Sequence, residues 1–170
     1  MESALYDILS STKIPKMARI RQNFDTFEIT DPEEAIRKEL ARPEITDTIK
    51  PGMTIAITAG SRGIHNHKRI IKTVVDLVKE RGAHPFVVPA MGSHGGANAQ
   101  GQLEVLAGFG ITPEYLGCPV KSSMETVKVG ESPEGHDVHI DKNAYQADGI
   151  IVVNKVKPHT AFRGPMRAVL

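Results

Sequence analysis

At 170 residues the chain has the length of one domain, enough to bury about 70% of its unfolded surface. Lysine plus arginine (21) and aspartate plus glutamate (20) nearly cancel and are mixed along the chain, which excludes the basic face that duplex DNA requires. The single cysteine, Cys118, excludes an internal disulfide and a cysteine-rich metal site. No charged-then-apolar leader or long apolar span is recognisable, so the expectation is a soluble, cytoplasmic protein with neither membrane nor nucleic acid as partner.

The first 50 residues read as a preamble with one convincing helix: Asp31 is a natural N-cap, Pro32 fits the first helical position, and Ala35, Ile36 and Leu40 form an apolar stripe that stops before Pro43. Upstream, residues 17–27 alternate loosely and are expected to form a strand, although Arg19, Arg21 and Gln22 interrupt its apolar face. From Pro51 the pattern sharpens. Residues 53–58 are an apolar, β-branched run ending in Ala59-Gly60-Ser61-Arg62-Gly63, and Ile70, Ile71, Val74, Val75, Leu77 and Val78 recur at helical spacing up to a capping Gly82. Residues 85–90 form the next strand, so 53–90 make one βαβ unit with parallel strands and a right-handed crossover.

After Met91-Gly92-Ser93-His94-Gly95-Gly96, a helix carrying Leu103, Leu106 and Ala107 closes near Gly108 or Gly110, and Thr112-Pro113-Glu114 opens a further helical turn. Residues 124–129 and 136–140 flank Ser132-Pro133-Glu134-Gly135 and predict a hairpin. A helical link over 142–147 leads to Gly149-Ile150-Ile151-Val152-Val153-Asn154, on hydrophobicity the most buried strand of the chain. The expected fold is therefore α/β: a mainly parallel sheet with flanking helices, Rossmann-like, with a β-hairpin insertion. Residues 1–170 read as a single domain. The last strand has no long helix after it to cover its face, so the sequence reads as the truncated, leading part of a longer protein or as a subunit completed by another chain.

Three polar loops follow three apolar strands, and ligands of open α/β sheets bind outside the carboxyl ends of the strands. Gly60, Ser61 and Arg62 lie on the first loop, Ser93, His94 and Gly95 on the second, and His159 after Pro158 on the third. An arginine beside free backbone N–H groups suits a carboxylate or phosphate, and two histidines facing one substrate can trade protons near neutral pH. The bland alternative for the first loop is a tight turn with a solvated arginine, since it lacks the lysine of a P-loop and does not read Gly-x-Gly-x-x-Gly. His65 and His67 point to different sides of a helix start, His136 and His139 to opposite faces of a strand, and His84 stands at the beginning of one. Neither a metal cluster nor a Ser/His/Asp set is predicted. Cys118 reads as a small buried residue.

These three loops, residues 57–63, 89–96 and 154–164, resemble the N-terminal domain of the nickel-dependent lactate racemase family, with similarity running through most of residues 15 to 165. The resemblance implies a racemase or epimerase of small 2-hydroxy acids in which a proton leaves the substrate hydroxyl and a hydride leaves C2 for a nickel pincer nucleotide. It further implies that His94 and His159 are the paired acid/base histidines and that Arg62 contacts the ligand; Ser61, Gly60, Ser93 and Gly95 are the loop residues expected beside it at substrate or phosphate. Two departures stand out. Ala59 occupies the place of an acidic residue three before the arginine, and neither the lysine that bears the cofactor nor the nickel-binding histidine is found in this chain, Lys155 and Lys157 lying before the Pro-His pair. The expected partners are a 2-hydroxy acid and a second domain or a homo-oligomer. The competing expectation is a catalytically silent module that retains an anion- or nucleotide-binding crevice.

Overall fold

The computed structural model describes residues 10, 13, 15–23, 28–61, 63–155, 157–158 and 168–169. Helix α1 (Pro32–Leu40) begins as its cap dictates, with Asp31 accepting from the backbone N–H groups of Glu33 and Glu34 at 3.0 and 3.1 Å. Its half-buried Ile36 and Leu40 pack onto the core, and a four-residue turn α2 (Pro43–Thr46) follows. Upstream, the expected strand over 17–27 is not present in its described part: residues 17–23 carry no regular structure and are exposed, while 24–27 lie outside the described residues. Arg19, Arg21 and Gln22 leave too narrow an apolar face for burial to fix a pairing register.

Strand β1 (Thr54–Ala59), helix α3 (His67–Glu80) and strand β2 (His84–Pro89) form the expected βαβ unit, with Thr54 to Ala59 pairing in parallel with His84 to Pro89. Gly82, at φ +74°, ends the helix in the left-handed conformation that a residue without a Cβ adopts cheaply. A 3-10 turn over Gly95–Ala97 precedes helix α4 (Ala99–Gly108), and the turn α5 (Pro113–Leu116) is capped by the Thr112 hydroxyl. Strands β3 (Thr126–Glu131) and β4 (Asp137–Asp141) pair antiparallel as the predicted hairpin, with a register irregularity between Lys128 and Gly130. Helix α6 (Lys142–Tyr145) leads to β5 (Gly149–Ile151), and β6 (Lys157–Pro158) pairs antiparallel with β7 (Ala168–Val169).

The fold is α/β, with a parallel three-stranded sheet in the order β2-β1-β5, flanking helices and a small hairpin. Chain reversal puts β2 on one side of β1 and β5 on the other, so the loops leaving β1 sit between the exits of both neighbours. The outer edge of β2 is shielded by residues 119–121, where the Val87 N–H donates to Pro119 and Lys121 donates back to Val87.

The main core lies between the sheet and α3. Ile55, Ile57 and Val87 interlock there with Ile71, Val75 and Val78, and Leu106 of α4 joins them. Cys118 is buried in the same cluster, and burial pushes its thiol pKa up against the opposing pull of Lys79, which leaves it the inert small residue expected. One expectation needs correction. The run from Gly149 is not the most buried strand: regular pairing stops at Ile151, Ile150 is 42% exposed and Val152 63%, because among the described residues nothing pairs with its outer edge and little covers that face.

Candidate functional site

Because all three paired strands run in parallel, their carboxyl ends lie along one edge of the sheet. The β1 loop is the hub of this edge. Toward β2, the Ala90 N–H donates to Ala59 at 2.8 Å and carries the backbone into residues 91–98. Toward β5, the Val153 N–H donates to the Thr58 hydroxyl at 3.0 Å, and the Lys155 side chain lies close over Gly63, where a Cβ would stand 3.3 Å from its Cδ and 3.5 Å from its ammonium nitrogen. An amino group is therefore placed beside the loop that the sequence analysis singled out for anions.

Ser61 and His94 meet across two loops 33 residues apart, with Ser61 Oγ 2.5 Å from His94 Nδ1. Both side chains are half-buried, and with Ser93, Gly95, Gly96 and Val105 they line an open cavity of about 380 Å³. Two hydroxyls, an imidazole and glycine backbone supply polar groups to a wall that Val105 and the carbon surface of the loops leave otherwise apolar, the mixture usual for a small-ligand pocket.

The β2 loop is held from beneath. Gln102, buried on α4, donates from Nε2 to the carbonyls of Gly92 (2.9 Å) and His94 (3.4 Å), and Asn98 caps the helix by accepting from the Gly101 N–H. Gly95 stands at φ +66°, and a Cβ there would come within 2.6 Å of the Gln102 backbone nitrogen, so the turn and the helix touch backbone to backbone. Sequence reasoning passed over Gln102. Its signal was available: an amide one turn before Leu106 on the same buried helix face, next to a glycine-rich loop whose carbonyls need donors.

Of the residues singled out in the sequence, Gly60, Ser61, Ser93, His94 and Gly95 lie at this edge, while Arg62 and His159 lie outside the described residues. The other histidines are elsewhere. His67 is buried on α3 with its ring edge-on to Phe109, burial lowers its pKa, and its Nε2 has no hydrogen-bond partner among the described residues. His65, His84, His136 and His139 are exposed, and His139 contacts Thr126 and Asp137 of the hairpin.

Among the described residues no group of three or more His, Cys, Asp or Glu could hold a metal ion. No helix among the described residues is long and apolar enough to cross a membrane.

The class that the fold defines is a parallel α/β domain with a histidine and a glycine-lined cavity at the carboxyl edge of its sheet, the edge where ligands of open α/β sheets bind. Over residues 9–170 the chain matches the lactate racemase N-terminal domain, and it belongs to that family. No curated protein matches the chain.

Proposed function

We infer that this chain is the N-terminal, substrate-handling domain of a racemase or epimerase for small 2-hydroxy acids. The observation that carries the reading is His94, set on the cavity at the strand ends and in contact there with Ser61, in a chain of the lactate racemase family. Arg62, on the same loop as Ser61, is the residue that binds the substrate carboxylate, since a guanidinium offers a planar two-pronged match to it. His94 and His159 form the acid/base pair: one takes the hydroxyl proton as the carbonyl develops, and the other returns a proton when the configuration at C2 is rebuilt.

The C2 hydrogen is a different matter. It is too weakly acidic for a histidine to remove, no side chain accepts a hydride, and that capacity belongs to the nickel pincer nucleotide of the family. On this reading the chain contributes binding and proton transfer, with a second domain or another subunit as its partner.

Titration of the isotopically labelled chain with each lactate enantiomer tests the reading. The expected result is movement of the Ser61, His94 and Gly95 amide resonances, with binding weakened by about 2 kcal/mol in Arg62→Ala. Resonances that move with a nucleotide and stay still with every 2-hydroxy acid would identify the silent binding module instead. Incubated with nickel and a single lactate enantiomer, the chain alone is expected to form none of the other above a metal-only blank by chiral chromatography. Turnover there would overturn the division of labour.

A further inference from the structure

We propose that Ser61 is a positioning residue for His94: its Oγ accepts the Nδ1 proton, holds the neutral imidazole in its Nδ1–H form, and assigns proton exchange with the bound hydroxyl to Nε2. The proposal rests on the reading of His94 given above and deepens it, moving Ser61 from ligand contact to control of the base.

The geometry points there because the contact is fixed at both ends. Only Gly60 separates Ser61 from β1, whose last residue, Ala59, is fully buried in the core beneath α3, so the serine sits close to a rigid strand end. On the other side, the His94 N–H donates to Met91 at 3.2 Å, the Ala97 N–H donates to Ser93 at 3.1 Å, and Gln102 holds the carbonyls of Gly92 and His94. With both backbones anchored, Ser61 Oγ stands 2.5 Å from Nδ1 on one side of the ring.

The direction of the hydrogen bond follows from what the imidazole must do. A neutral imidazole carries one N–H and one lone pair, and a hydroxyl can serve either nitrogen as donor or acceptor. Were Ser61 the donor, Nε2 would carry the proton and could not accept one from a substrate hydroxyl. With Ser61 as acceptor, Nε2 keeps its lone pair. The imidazolium formed after proton transfer retains its Nδ1–H, so the same contact serves the histidine as base and, in the reverse sense, as acid without any side chain moving. Ala59 carries no carboxylate to do this work, and the hydroxyl of Ser61 reaches Nδ1 from the same loop.

The test reads the tautomer itself in the full chain labelled with nitrogen-15. Long-range proton–nitrogen spectra, recorded at a pH where the ring is neutral and assigned by the signals lost in His94→Gln, are expected to show a protonated Nδ1 and an unprotonated Nε2. Ser61→Thr, which keeps the hydroxyl, is expected to preserve that pattern. Ser61→Ala is expected to lose it, with the proton moving to Nε2, and Ser61→Gly supplies a second variant without a hydroxyl should the alanine chain fold poorly. A protonated Nε2 in the unaltered chain would overturn the proposal, because the hydroxyl would then be the donor, as in a nucleophilic serine. A tautomer unchanged in both hydroxyl-free variants would overturn it equally. The functional reading fails by a different measurement: if no 2-hydroxy acid moves the His94 signals while the tautomer still follows Ser61, the positioning contact stands and the substrate class is lost.

Discussion

The two faces of the central sheet are built to different standards. Toward α3, Ile55, Ile57 and Val87 meet a 14-residue helix whose Ile71, Val75 and Val78 are completely buried, and Leu106 of α4 extends the seam. Toward the hairpin, Ala56, Phe86 and Val88 are also buried, but their cover is the four-residue α6 with Ala144 and the half-buried Ile140 and Ala147. The shortfall falls on β5, where Ile151 and Val153 turn to the α3 side and are partly covered while Ile150, opposite Ala56, stays 42% exposed. Adjacent strands of equal hydrophobicity thus differ in burial because the elements packed on them differ in length. The candidate site occupies the rim of the well-packed side, where α4 and its glutamine brace the β2 loop.

The sharpest way to break this comparison is to truncate one isoleucine on each face. Ile57→Ala is expected to cost about 3 kcal/mol in urea denaturation, because the cavity opens inside a close-packed seam. Ile150→Ala is expected to cost about 0.5 kcal/mol, the loss of a side chain already partly in water. Equal losses would mean that the hairpin face is closed as tightly as the other.

Next in size is Gly95→Ala, expected to cost about 2 kcal/mol, since φ +66° disfavours a Cβ and the added methyl meets the backbone of α4. Thermal denaturation reads the loss, and the cavity-lining amides should exchange with solvent faster. Gln102→Met keeps the volume and removes both donations, so about 1 kcal/mol is expected, with hydrogen exchange rising at residues 92–97 rather than throughout the chain. A uniform rise would remove Gln102 from its role as the brace of the β2 loop.

The last comparison is a slope. Burial lowers the pKa of His67 from 6.5, so the unfolded chain binds its proton more readily than the folded one. Stability is therefore complete above about pH 6.5 and declines as the pH falls from there toward the folded value, where the decline levels off. In His67→Leu that segment of the stability curve should flatten, and at neutral pH the variant should lose little, because the buried Nε2 has no described partner to forfeit. A curve of the same slope in both proteins would assign the acid sensitivity to other groups.

Much of this architecture was legible before any coordinates. The Asp31 cap, the 3.6-residue stripe from Ile70 to Val78, the hairpin around Pro133-Glu134 and the strand–loop–helix punctuation each depend on neighbours within a few residues, where backbone sterics and side-chain period leave few alternatives. The same local logic put His94 and Ser61 at strand ends. It misjudged residues 17–23, where weak alternation without a partner strand leaves the chain irregular, and the 149–154 run, where apolar composition was taken for burial.

Read alone, the order of residues determined most of the strands and helices from Pro32 onward, that the central sheet is parallel, and which loops carry polar, glycine-rich chemistry. Only the tertiary structure decided that Ser61 grips Nδ1 of His94, that Gln102 holds the loop beneath it, that Lys155 lies over Gly63, and that one side of β5 is left open. The physical reason is distance along the chain. A cap or an amphipathic stripe is selected by contacts three or four residues away, whereas Ser61 and His94 are 33 residues apart. Their meeting depends on strand order, crossover length and the close backbone approach at Gly95, none of which leaves a local period to read.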